Sequence, residues 1–243
     1  MAAAAPSSLL LSPLLLLLLL VPLICPAASV RPAKLQGRSR LGAWDLPPTC
    51  GRIECPTYEV VDQGEGYEIR RYNSTAWTST VAIEDISLVE ATRTAFFQLF
   101  EYIQGKNEYG EKIEMTAPVI TEVAPSDGPV CASSFVVSFY VPKKNQANPP
   151  PAAGLRLRRW AARYVAVRQF GGFVSDGSVG EEAAALYESL AGSEWAAAVD
   201  RGRAADPAAA YTVAQYNSPF EFTGRVNEIW MFLVLPEGIK SSQ

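Results

Sequence analysis

The stretch Lys112-Ile113-Glu114-Met115-Thr116-Ala117-Pro118-Val119-Ile120 sets a carboxylate and a thioether ahead of a proline-stopped apolar run, directly after a long amphipathic segment. It reads as a strand laid beside a helix, at the rim of a pocket. The chain has no histidine, so any chemistry here proceeds without imidazole as base, acid or metal ligand. Glu114 and Glu228 each precede an apolar strand, where a carboxylate could serve as the general base of a small-molecule hydrolase. Neither has a partner in sequence: there is no nucleophile elbow and no glycine-rich phosphate loop. Glu228 is read more simply as a structural group bonded to backbone or to Arg225.

The helical segment before that stretch sets Val89, Arg93, Phe96, Phe100 and Ile103 on one stripe and Leu88, Thr92, Ala95, Leu99 and Tyr102 on the next. One stripe must face a sheet. The other, with Phe97 beside it, either joins the core, as aromatic helix faces commonly do, or lines a cleft. In a cleft the rings would stack on a flat apolar body while Arg93 meets a ligand carboxylate. For an iron macrocycle the candidate axial ligands are Met115, Met231, Cys131 and the tyrosines; Met231, next to Trp230, reads as core.

Positioning these residues requires strands, helices and turns whose order can be read along the chain. Strands are expected at Tyr58 to Val61, Tyr67 to Tyr72 and Ala76 to Ile83. A capping box at Ser87 and Glu90 opens a helix from Leu88 to Gln104, and strands follow at Glu114 to Val123 and Phe135 to Tyr140. After an Asn- and Pro-rich loop, 143–154, the order repeats. Strands fall at Leu155 to Trp160 and Tyr164 to Phe170. A second capping box, Ser178 and Glu181, opens a helix from Val179 to Leu190, with a short helix near Glu194 to Val199. Strands at Tyr211 to Tyr216 and Glu228 to Leu235 finish the set. Met115 to Pro118 corresponds in this reading to Tyr216 to Pro219, and Gly171-Gly172 marks a tight turn. Two strand-strand-helix-strand-strand halves predict one α+β domain, a pooled antiparallel sheet curled or closed so that its edges are covered.

With 243 residues and 49% apolar composition, the chain can bury one substantial core. Residues 1–28 carry a Leu-rich uncharged run followed by small residues and read as a signal peptide, with 29–48 a flexible linker and 49–240 the folded domain. An uncleaved anchor and a plastid transit peptide are the rival readings of the leader. The net charge of -4 argues against nucleic acid as a partner. The arginines 156, 158, 159 and 163 read as a solvated strand face, with anion binding the lesser option. In the secretory route, extracellular or vacuolar, Cys50 and Cys55 are expected to form a disulfide, Cys131 to remain a buried free thiol or an alternative partner, and Asn73-Ser74-Thr75 to accept a glycan. Three thiols without histidine make no zinc site.

Three motifs together, Gly66-Tyr67-Glu68-Ile69-Arg70-Arg71-Tyr72, the run from Gly105 through Lys112-Ile113-Glu114-Met115-Thr116-Ala117-Pro118-Val119, and Gly224-Arg225-Val226-Asn227-Glu228-Ile229-Trp230, resemble the SOUL haem-binding family over about residues 50 to 236. The resemblance is strongest to plant members with a signal peptide. It implies a duplicated, distorted antiparallel β-barrel flanked by two main helices, and a monomer that binds haem or another tetrapyrrole without catalysis. Matching the first helix by its Tyr102 and Gly105, the resemblance implies a groove with Arg93 at a basic position and Phe96 and Phe100 at apolar ones under the ring; Phe97 on the same helix and Met115 after it, read from the residues themselves, complete the expected ligand-binding set, with no metal-binding set. Two further basic positions of animal-like members carry Glu101 and Glu221 here, which would repel propionates. A secreted peptide- or lipid-binding module is the remaining alternative.

Overall fold

The computed structural model describes residues 46–126 and 131–236. The leader, most of the linker and the last residues of the expected domain lie outside the described residues. Ten strands and three helices run in the order β1 (Tyr58–Gly64), β2 (Tyr67–Tyr72), β3 (Thr75–Thr80), β4 (Ile83–Asp85), α1 (Leu88–Ile103), β5 (Val119–Ala124), β6 (Ser133–Tyr140), β7 (Leu155–Trp160), β8 (Arg163–Gly171), α2 (Asp176–Ser189), α3 (Ala196–Ala205), β9 (Tyr211–Gln215) and β10 (Val226–Leu233). All strands pair antiparallel in one curled sheet of order β1-β2-β8-β10-β9-β5-β6-β3-β7, with β4 added beside β6. The fold class expected from the sequence is the one observed.

The order is a palindrome about the β9–β5 seam. Strands β3, β6 and β5 of one half mirror β8, β10 and β9 of the other, and each half sends its leading strand across: β2 pairs with β8, and β7 with β3. The halves are therefore interlocked, which the linear repeat did not reveal.

Alternation sorts the side chains onto two faces. Ile69, Ala166, Val213, Ile229 and Met231 point outward under α1, α2 and α3 in one core cluster, and Val119, Val137 and Phe139 continue it under Ala95, Leu99 and Tyr102 of α1. The concave face holds Trp77, Trp160, Trp230, Tyr72, Tyr140 and Tyr216. Ring pairs such as Trp77–Trp160, with centroids 4.8 Å apart, fill its middle, so it is a packed interior rather than an open bowl. The loop closed by the Cys50–Cys55 disulfide packs against that interior. Its Glu54 carbonyl accepts the Ala117 N–H at 3.0 Å.

Several local readings are corrected. The stretch from Lys112 to Pro118 is not a strand; it is irregular, bridges the disulfide loop from Thr116 to Glu54, donates from the Thr116 hydroxyl to the Tyr140 carbonyl of β6 at 2.7 Å, and contains a cis Ala117–Pro118 bond before β5 begins at Val119. Nor is it the repeat-mate of Tyr216 to Pro219. It leads into β5, whereas Tyr216 leaves β9, and the register Val119↔Gln215 places the two segments side by side at one end of the sheet. The expected Ala76–Ile83 strand divides into β3 and β4. Helix α2 starts at Asp176, because Ser175 rather than Ser178 is its N-cap and the two serines exchange the capping bonds. Finally, Cys131 is not a free thiol: it is disulfide-bonded.

Candidate functional site

Helix α1 is capped by the Ser87 hydroxyl, which accepts the Glu90 N–H. Its residues Leu88, Ala91, Ala95, Leu99 and Tyr102 recur at helical spacing and are buried against the sheet. Phe96 lies at the edge of that stripe, half-buried, with its ring 5.4 Å from Phe139. Phe100 stacks on it at 5.8 Å and 16°, and Phe97 meets it edge-on at 6.1 Å. Phe97 is 62% and Phe100 39% exposed. The helix thus presents an aromatic ridge to solvent, flanked one turn earlier by exposed Arg93, which pairs with Glu90. Met115, half-buried, packs on the same cluster of Ala95, Leu99 and Phe139 that supports Phe96.

The acidic positions do not stand alone. Glu101 is paired with Lys106 at 2.6 Å. Glu221 is paired with Arg52 at 2.6 Å and accepts from Asn217 at 2.9 Å, and these hydrogen bonds hold its carboxyl below the usual range. The repulsion expected from the two glutamates is therefore answered locally by a cation at each. Beside the end of α1, Lys106, Asn107, Glu108, Ala152 and Ala153 line a shallow hollow of about 280 Å³.

On the concave face, Arg70 is fully buried between two carboxylates, donating from Nε to Glu68 at 2.7 Å and from Nη1 to Glu228 at 2.9 Å. Glu228 also accepts from Gln169 (2.9 Å), the Tyr216 hydroxyl (2.8 Å) and the Trp230 indole (2.7 Å). Burial would lower the guanidinium's pKa, but Glu228 and three tyrosines hold it above the usual value. Burial raises the pKa of Glu68, against the pull of Arg70, and raises that of Tyr216 well above normal. Removing one partner of such a network costs roughly 3–5 kcal/mol, because a charge is then left buried and alone. This network went unforeseen, although its signal was present: Tyr72, Trp230 and Phe232 share strand faces with Glu68, Arg70 and Glu228, so those faces are not solvent faces.

Glu228 therefore does not bind Arg225. That guanidinium donates instead to the carbonyls of Ser218 and Glu221, both at 2.7 Å, and lies over Phe173. Glu114 is exposed and paired with Lys144 at 3.0 Å. One glutamate is sealed and the other solvated on a lysine, so neither sits as a base in a cleft, which counts against the hydrolase reading. Met231 is buried in the core. Asn73 is exposed in the β2–β3 turn. Among the described residues there is no cluster of metal-ligating side chains, and no helix is long and apolar enough to cross a membrane. The β7 arginines are not a uniform solvated face: Arg158 pairs with buried Glu122, and Arg159 donates to the Gln146 and Ala147 carbonyls.

An interlocked, duplicated α+β half-barrel carrying these motifs defines a class, and comparison with known proteins identifies it. Residues 53–232 match the family described as SOUL heme-binding protein. The chain is 37% identical over 185 residues to Heme-binding protein 2 of Homo sapiens, covering 74% of this chain and 85% of that protein. It is 28% identical over 187 residues to Heme-binding protein 1 of Sus scrofa, covering 74% of this chain and 93% of that one. The chain belongs to the SOUL heme-binding protein family.

Proposed function

We propose that this protein binds haem or another tetrapyrrole reversibly and without catalysis, on the α1 face. The observation that carries the reading is the solvent-facing ridge of Phe96, Phe97 and Phe100, which offers rings to a flat apolar ligand, with the Arg93 guanidinium beside it for a propionate. Those residues suit the macrocycle and its carboxylates. They offer the iron little, since there is no imidazole and the Met115 thioether packs on the core. When bound, haem would bring a redox-active iron, while the protein's own groups stack on the ring and orient its acid side. Lys106, next to Glu101, is a second cation near the helix end. The relatives named as heme-binding proteins support this choice of ligand.

The test is titration of the full chain with haemin and with metal-free protoporphyrin, followed by absorbance and tryptophan fluorescence. Both are expected to bind saturably and with similar affinity, because the ring rather than the metal is recognised. The double substitution Phe97→Ala, Phe100→Ala is expected to weaken both by about tenfold, from ring contacts worth ~0.5–1.5 kcal/mol each. Absence of saturable binding to either compound would sink the proposal. A large preference for haemin would sink the part that excludes axial ligation. We further place the protein in the secretory route, on the strength of the Cys50–Cys55 disulfide and the exposed Asn73 acceptor.

A further inference from the structure

A second cavity, of about 240 Å³, opens on the sheet away from the aromatic ridge, between β3, β5, β7 and the segment after α3. Its wall includes Val81 and Val136, and its charged lining is Glu122, Arg156, Arg158 and Asp206. Glu122 is 3% exposed and gives one oxygen to Arg158; the other has no hydrogen-bond partner. Across the strand pair, directly opposite Glu122, the buried Thr212 hydroxyl is also unpartnered. Orphaned buried polar atoms of this kind are uncommon and call for an explanation.

Two lining charges remain once Glu122 and Arg158 are set against each other. Arg156 and Asp206 are exposed at the mouth and make no ion pair among the described residues. They are of opposite sign. A bare cation would find Asp206 but face the arginines, and a bare anion would find Arg156 but face two carboxylates. One ligand class satisfies both and leaves an apolar body for the valine wall. The geometry points to a binding site for a small zwitterion, an α-amino acid with an apolar side chain, its carboxylate on Arg156 and its ammonium towards Asp206 and Glu122. Burial lifts the Glu122 pKa against the pull of Arg158 and Arg163, and the nearby Asp206 carboxylate adds to the rise, so the two carboxylates lie close enough to feel each other.

The test uses amide chemical-shift titration of the ¹⁵N-labelled full chain with three probes of one shape: L-leucine, 3-methylbutylamine, which lacks the carboxylate, and 4-methylpentanoate, which lacks the amine. Leucine is expected to give saturable shifts on β5 and β7, and each half-molecule to bind at least about tenfold more weakly, as charge-assisted hydrogen bonds are worth ~1.5–3 kcal/mol. Arg156→Gln and Asp206→Asn, both at exposed positions, are each expected to lower leucine affinity by a similar factor with the folded spectrum kept. No saturable shift with leucine overturns the inference. So does amine or acid binding as tightly as leucine, or leucine binding unchanged in both variants. Haemin titration of the same variants separates this site from the α1 face, since neither residue belongs to that face.

Discussion

Glu221 and Glu122 are the same residue type with opposite pKa shifts, and the difference lies in what surrounds each. Glu221 collects donors from Arg52 and Asn217, which hold its proton affinity down. Glu122 is buried, and desolvation outweighs Arg158 to raise its pKa above the ordinary 4.5. A raised pKa means that the folded state holds the proton more tightly than the unfolded one, so this group costs stability as pH rises from below 4.5 through its folded value. Glu122→Gln has no such titration. The melting temperature of the variant minus that of the wild type is therefore expected to increase from pH 4 to pH 7, and thermal melts at the two values check it. At this scale the sequence was legible where side chains face solvent: Arg93, Phe97 and Asn73 lie exposed at positions that patterning could mark. For Glu68, Arg70 and Glu228 it was legible only in part: Tyr72 and Trp230 on the same strand faces mark those faces as covered, but the pairing of β2 with β8 and of β8 with β10 that brings the three charges together leaves no local mark.

Helices and strands were read well where a period runs uninterrupted, as along α1, and poorly at their ends. Two serines three residues apart, Ser175 and Ser178, were both able to cap α2, and only the chain path shows which does so. Close approach between elements is likewise invisible in sequence. Helix α3 lies against β10 so tightly that a Cβ on Gly202 would stand 1.9 Å from the Phe232 carbonyl oxygen, and the Val234 N–H donates to Ala198 at 3.0 Å. Gly180 in α2 has nothing within 4 Å. Alanine at both positions gains about 0.5–1 kcal/mol of helix propensity. At Gly180 that gain is expected to stand, whereas at Gly202 forcing α3 from the sheet costs ~1–3 kcal/mol and reverses the sign. Urea unfolding midpoints of Gly180→Ala and Gly202→Ala should move in opposite directions.

The whole molecule is governed by the exchange of leading strands. The repeat was legible in the order of strands and helices; the crossing of β2 to β8 and of β7 to β3 was not, because pairing between distant strands leaves no mark on local periodicity. Each half alone lacks a neighbour for β3 or β8. Fragments 46–152 and 153–236, expressed separately, are expected to show little fixed near-ultraviolet circular dichroism, and to regain it on mixing. A well-folded single fragment would contradict the interlocked account. For a chain leaving the ribosome the same exchange imposes an order of events. By Tyr140 the first half has its own helix and its four internal strand pairings, yet β3 waits for residues 155–160, β2 for residues 163–171 and β5 for residues 211–215. At roughly 5–20 residues per second, that wait lasts seconds. Until it ends, three strands with unfilled hydrogen bonds, β2, β3 and β5, stand open to other nascent copies, which makes synthesis, more than the finished fold, the stage at which this protein depends on chaperones.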